Sequence, residues 1–278
     1  MIEEMKLIQP FFVIQQPRFY QEIYRKYGIS HFYTFQLQRN QSAVMMVPDG
    51  CVDIIFAYKK KGMRARIIGA SLEYHEFRAD GEEEYFGVRF LPGYCPGVLD
   101  MGLPDLVATE YELSDGVQVR ELLCCMENQV TFQHRIQVFL DWYLSLVTYT
   151  NMKNSHREIL DDVIQIINDR KGQIKVHEIE HILNYTGRHI NKIFKCEMGM
   201  SPKTFCRIVR FQRTLECLSY QSDVKLADVA VDYGYYDQAQ FIKEFKHFCN
   251  LTPGEYKAMV YQRGFKEHVI DTQFLVKR

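Results

Sequence analysis

The chain has 278 residues, with 34 Lys+Arg against 35 Asp+Glu and a formal net charge of −1, a length that suits about two domains. No apolar run approaches the roughly 18 residues of a membrane span and no secretory signal opens the chain, so neither an integral membrane protein nor an exported one is expected. Eight cysteines without paired zinc-like spacing read as reduced thiols of a cytoplasmic protein; for the vicinal Cys124-Cys125, core packing is favoured over a redox switch.

The first third reads as strands. "FYTFQLQ" (32–38), "SAVMMV" (42–47), "CVDIIFAY" (51–58), "RARIIGA" (64–70) and "EEYFGVRF" (83–90) are short and rich in β-branched and aromatic residues. Turn residues separate them: Asn40, Pro48-Asp49-Gly50, Lys61-Gly62, Asp80-Gly81 and Pro92-Gly93. Short strands at near-regular spacing predict a small barrel or sandwich. The period then changes. "VQVRELLCCM" (117–126) reads as a helix, and Phe132, Ile136, Phe139, Leu140, Tyr143, Leu144 and Val147 follow helical steps. That apolar stripe predicts either a dimer interface or packing on the chain's own barrel. "TYTNMKNSH" (148–156) is polar and aperiodic and reads as a linker.

Beyond the linker the chain is helical and repeats itself. "TGRHINKIFKCEMGMSPKTF" from Thr186 aligns without gaps on "DQAQFIKEFKHFCNLTPGEY" from Asp237, every matched pair lying 51 apart. Ile190 meets Phe241, Phe194 meets Phe245, and Ser201-Pro202 meets Thr252-Pro253. Ungapped self-similarity of this kind marks one structural unit built twice. Thr186 and Asp237 are good N-caps, and a shorter helix precedes each copy, "VHEIEHIL" (176–183) and "LADVAVDY" (226–233). Two short helices joined by a tight turn, the second polar and basic outside, predict a helix-turn-helix. The outer face is polar because it has to meet base edges and phosphates; a helical bundle with solvated faces is the plainer alternative. Residues 152–278 hold 20 Lys+Arg against 16 Asp+Glu, a net +4, whereas residues 1–151 hold 14 against 19, a net −5. This asymmetry points to a polyanionic partner.

Ala230, Gly234-Tyr235, Asp237, Phe241, Phe245-Lys246 and Pro253 to Tyr256 match a long signature, and through it the C-terminal hundred residues resemble the AraC/XylS family of transcription regulators. The front of the chain more loosely resembles sensor domains of that family, through "VPDGCVDIIF" and "GVRFLPG". The resemblance implies an α+β chain. Residues 1–150 would form a small cupin-like β-barrel that senses an effector, with a helical dimerisation segment at 117–147. Residues 151–278 would form an all-α DNA-binding domain with two helix-turn-helix units, at about 157–200 and 202–257. A long helix from Pro202 to about Leu218 would span about 25 Å and set both readers on one side of double-stranded DNA. Carried over by position, DNA contact falls to Arg188, His189, Asn191, Lys192 and Lys195, and to Gln238, Ala239, Gln240, Ile242, Lys243 and Lys246. RNA polymerase is the implied protein partner, activation the implied role, and the bacterial nucleoid the implied location. Three residues depart from the family pattern: Asn184 and Asn250 where glycine is common, and Glu180 where a small alanine is usual, which puts the tightness of the first unit in question.

Two further readings come from the residues. "HEIEH" (177–181) has the form of a zinc-protease helix, but it falls inside the first helix of a helix-turn-helix, so no metal, no cofactor and no enzymatic activity is expected. In the front domain, Phe35, Asp53, Phe56, Tyr85 and Arg89 are the candidates to line an effector pocket, with an internal Arg89–Asp53 pair as the favoured alternative for those two. The front domain then either binds a small molecule or serves only to dimerise or hold a partner protein.

Overall fold

The computed structural model describes residues 8–14, 19–37, 42–59, 62–78, 84–97, 101–114, 117–150 and 155–271. All five strands read from the sequence are present: β2 (Ile29–Gln36), β3 (Ala43–Met46), β4 (Val52–Tyr58), β5 (Met63–Ile68) and β7 (Glu84–Phe90). Four more join them: β1 (Phe19–Lys26), β6 (His75–Arg78), β8 (Glu110–Glu112) and β9 (Val269–Asp271). They do not make the expected closed barrel among the described residues. One seven-stranded sheet has the order β8-β5-β4-β7-β2-β1-β9, and β3 pairs with β6 in a separate ribbon. The central strands β2, β4 and β7 are buried on both faces, so their apolar runs are nearly continuous.

Each face of the sheet has its own aromatic cluster. On one, Phe32, Phe56 and Phe86 meet Phe139 and Phe132 of helix α4 (Phe132–Thr150). Ile136, Phe139, Leu140 and Tyr143 of that helix are buried, so the apolar stripe is covered by the chain's own sheet and is not left open for a second copy. Helix α3 (Val117–Glu127) carries Cys124 and Cys125, both exposed, which corrects their expected place in the core. On the other face, Tyr33, Phe35 and Tyr85 pack with Phe77 of β6 and with Phe12 of the short helix α1 (Pro10–Ile14).

The C-terminal half is all helix until its last strand. Helix α5 (Ser155–Asp169) leads into α6 (Val176–Leu183), α7 (Gly187–Met198) and α8 (Pro202–Tyr220). Then come α9 (Leu226–Asp232), α10 (Gln238–Cys249), α11 (Pro253–Gln262) and α12 (Phe265–His268). Most of the predicted linker turns out to be helix: 148–150 end α4, 155–156 begin α5, and 151–154 lie outside the described residues.

The two halves are joined at two places. Gln212, fully buried in the middle of α8, donates to Pro48 O at 2.8 Å and accepts from Ile8 N at 3.0 Å. Close by, Phe205 lies against Gly50, whose φ of 76° and contact with the ring leave no room for a side chain. At the far end, β9 pairs in parallel with β1, so the strand that follows the helical domain completes the front sheet.

Candidate nucleic-acid interface

The two repeated units close in the same way, and their caps explain why. Thr186 accepts from His189 N and Asp237 from Gln240 N at the starts of α7 and α10. Ser201 and Thr252 cap the next helices, α8 and α11. The helix ends match too: Gly199 and Asn250, again 51 apart, both adopt left-handed backbone, with φ of 69° and 56°. Asn184, which ends α6, is left-handed at φ 56°, so both asparagines stand in for glycine at a conformation they tolerate. Inward, Ile190 and Phe194 in one unit, and Phe241 and Phe245 in the other, are buried.

Glu180 does not loosen the first unit. Its carboxylate accepts a hydrogen bond from Gly187 N, the first amide of α7, and so satisfies one of the donors a helix start leaves open. The fit depends on Gly187 having no side chain, since a Cβ there would lie 2.4 Å from Glu180 Oε1. The oversized residue and the glycine compensate each other.

The outer faces carry the residues expected there. Arg188, Asn191, Lys192 and Lys195 on α7 are exposed, as are Gln238, Ala239, Gln240, Lys243 and Lys246 on α10. His189 and Ile242 are half-buried, which limits what either can touch. Two amides are partly engaged already: Asn191 donates to Gly187 O at 2.7 Å, and Gln240 accepts from Tyr236 N at 2.8 Å. Arg188, Lys192, Lys195 and Lys243 make no ion pair among the described residues. A row of solvated cations over a filled apolar face is suited to a polyanion.

One residue that holds the candidate site in place escaped the sequence reading. Glu244, on α10, is buried and held by Arg207 Nε and Arg210 Nη2 of α8, both at 2.8 Å. Arg210 also lies 4.5 Å from the Tyr235 ring centroid and donates to Gly234 O at 3.3 Å. Helix α10 and the turn before it are therefore tied to the long helix by charge. The 51-residue offset carried the signal: Glu244 aligns with Ile193, a buried apolar position, and a carboxylate facing inward requires a cation.

The zinc-like pair His177 and His181 is exposed, and among the described residues no three His, Cys, Asp or Glu side chains group as a metal site. Of the five effector candidates, Phe56 lies on the sheet face covered by α4, against Phe86 and Phe139, away from the other four. Phe35 and Tyr85 stack on each other at 4.8 Å within the core. Arg89 and Asp53 form the internal pair, through Nε to Oδ1 at 3.0 Å and Nη2 to Oδ2 at 2.8 Å. Asp49 takes Nη1 at 2.8 Å, and Tyr33 donates to Asp53 at 3.0 Å. Burial opposes the charge on Arg89, but the two carboxylates outweigh it and hold its pKa well above the ordinary arginine value.

A cavity of about 140 Å³ lies at the seam between the halves, lined by Phe12, Phe19, His31, Arg89, Phe265 and Val269 among others. Of the five effector candidates only Arg89 reaches it. Burial, with Arg89 and Arg25 nearby, pulls the His31 pKa down to about 3, so the ring faces the cavity neutral at pH 7.

With the geometry in view, the likenesses fall on both halves. Residues 180–259 match a helix-turn-helix domain family, and residues 26–112 match a domain of unknown function (DUF6597). The helix-turn-helix regulator YtdP of Bacillus subtilis (strain 168) is 29% identical over 103 residues, covering 37% of this chain and 13% of that protein. The lactose operon transcription activator of Staphylococcus xylosus is 23% identical over 158 residues, covering 52% of this chain and 56% of that one. The crystal structure of ToxT from Vibrio cholerae is 12% identical, covers 87% of this chain and 98% of its own, and superposes with a TM-score of 0.44, too low to weigh in the assignment. No described helix is long and apolar enough to cross a membrane. By its matched domain and its doubled helix-turn-helix, the C-terminal half of the chain is similar to the DNA-binding domains of helix-turn-helix transcription regulators.

Proposed function

We propose that the chain is a sequence-specific DNA-binding activator that reads one side of a duplex with α7 and α10 and responds to a small molecule held at the seam. The observation that carries the DNA reading is the pairing itself. Two identically capped helices expose polar, cationic faces and share one 19-residue helix, α8, about 28 Å long, close to the roughly 34 Å between successive major-groove faces. One chain thus holds two readers, and the reading requires no dimer. Activation is supported by the role named for the S. xylosus relative, with RNA polymerase as the partner that role implies.

The seam cavity supports effector binding better than the interior of the front sheet does, because it touches both halves. Phe12 and His31 come from the front, Phe265 and Val269 from the far end of the chain. An occupant there would bias how the helical domain sits on the sheet. The alternative, a front domain that only dimerises, loses its natural interface to the burial of the α4 stripe.

The test is selection of a duplex from a randomised pool by the full chain, followed by hydroxyl-radical footprinting. Two protected patches about ten base pairs apart on one face are expected; a single patch, or no enriched sequence, contradicts the reading. For the effector, a thermal-shift screen of small metabolites should give a hit that Val13→Trp, which fills the cavity, abolishes.

A further inference from the structure

Two tyrosines occupy the same place in the two units. Tyr185 directly precedes the Thr186 cap and Tyr236 directly precedes the Asp237 cap, at the 51-residue offset of the whole repeat. Phe194, Tyr235, Phe245 and Tyr256 of the same units are buried. Tyr185 and Tyr236 instead face solvent, 42% and 92% exposed. The Tyr236 ring adds little to the fold beneath it, since almost none of its apolar area leaves water.

Both are nevertheless held in position. Tyr236 N donates to Gln240 Oε1 at 2.8 Å while Asp237 Oδ1 accepts from Gln240 N at 2.7 Å, a reciprocal pair that fixes the backbone carrying the ring. The Tyr185 ring lies 5.5 Å from that of His189, on the first turn of α7. The residue before an N-cap sits outside the helix. When a reading helix enters the major groove by its first turn, that residue stands beside the groove mouth, where the sugar–phosphate backbone runs.

We propose that Tyr185 and Tyr236 are matched DNA-backbone anchors, each donating its phenol hydroxyl to a phosphate oxygen at the edge of the groove its helix enters. The proposal rests on the DNA reading above and adds what sets the register of each helix, since contacts to the backbone position a protein and contacts to bases specify the sequence. A phenol is a neutral donor. It neutralises no phosphate and releases no counterion, so its signature differs from that of a lysine.

The test uses full-length Tyr185→Phe, Tyr236→Phe and the double variant. Phenylalanine keeps the exposed ring and removes only the hydroxyl, so folding is not at issue. The probes are the selected duplex and its single-base-pair variants, over a salt series. Each Phe should weaken binding about five- to tenfold, equally on every duplex, with the slope of log K against log salt unchanged; the double variant should multiply the two losses. Binding equal to the parent on all duplexes overturns the proposal. A loss confined to one base pair also overturns it, by making the tyrosine a base reader. A parent chain that binds no duplex at all overturns the DNA reading itself and is seen before any variant is compared.

Discussion

Arg89 in the front half and Arg188 in the back half are one side chain in two circumstances. Arg89 is 1% exposed, lies between His31 and Asp53 in cross-strand register, and gives its whole fork to Asp49 and Asp53. Arg188 is exposed on the first turn of α7 and makes no ion pair among the described residues. Burying a guanidinium costs several kcal/mol unless carboxylates take up its hydrogens, so an arginine in an apolar strand signals an internal partner before it signals a ligand. An arginine on a helix whose inner face is already filled has no such duty and remains available to a partner outside the chain.

The contrast can be broken at its buried end first. Arg89→Ala strands two carboxylates in the core and should lower stability by about 3–5 kcal/mol, read as the urea midpoint; Arg89→Lys keeps the charge, loses the fork and should fall between. A loss below about 1 kcal/mol would mean the network is not the structural element described. Next is Glu244→Ala, which leaves Arg207 and Arg210 without their carboxylate. Because Arg207 is 35% exposed, solvent softens the penalty, and a loss of about 1–3 kcal/mol is expected. A neutral result would detach α10 from α8.

Acidification sharpens the same distinction. His31 is held near 3 when folded and would return to about 6.5 unfolded. The unfolded chain therefore binds the proton first, and stability falls as the pH drops below about 6.5. Between pH 7 and pH 5 this one group should remove about 2 kcal/mol. His31→Gln should flatten the profile over that range; an unchanged profile would show that the ring is not held neutral. The smallest effect on stability belongs to Arg188→Ala, within about 0.5 kcal/mol. Its cost should appear in binding, about 1–3 kcal/mol on the selected duplex with relaxed preference at one base pair. A similar loss on all duplexes would instead make Arg188 a phosphate contact.

How much of this was legible in the sequence differs between the halves for a physical reason. The helical half repeats, so its caps, inward rows and outward rows could each be read twice, and α6 was placed at its observed bounds, Val176–Leu183. The offset also encoded Glu244 and the two tyrosines, but only to a reading that asked why an acid is Ile193's counterpart or why a tyrosine stands before each cap. In the front half, strand existence was legible and closure was not, because sheet order depends on pairings far apart in the chain. β9 has three residues and pairs with β1 some 250 positions away, and nothing local announces it. The seam cavity is built from those same distant segments, which is why candidates taken from the predicted strands reached it only at Arg89. Phe56, three residues after Asp53 on β4, lies on the opposite face of the sheet, and its bulk is used against α4.

The central claim, that both helices of one chain lie on DNA together, is tested most directly by the salt dependence of binding to the selected duplex. Lys192 and Lys243 lie 51 apart, one on each reading helix, and both are exposed. If each neutralises a phosphate, Lys192→Ala and Lys243→Ala should each reduce the slope of log K against log salt by about one unit, and together by about two. A slope altered by only one of them, with the other variant identical to the parent at every salt concentration, would contradict the account and leave a single helix in the groove.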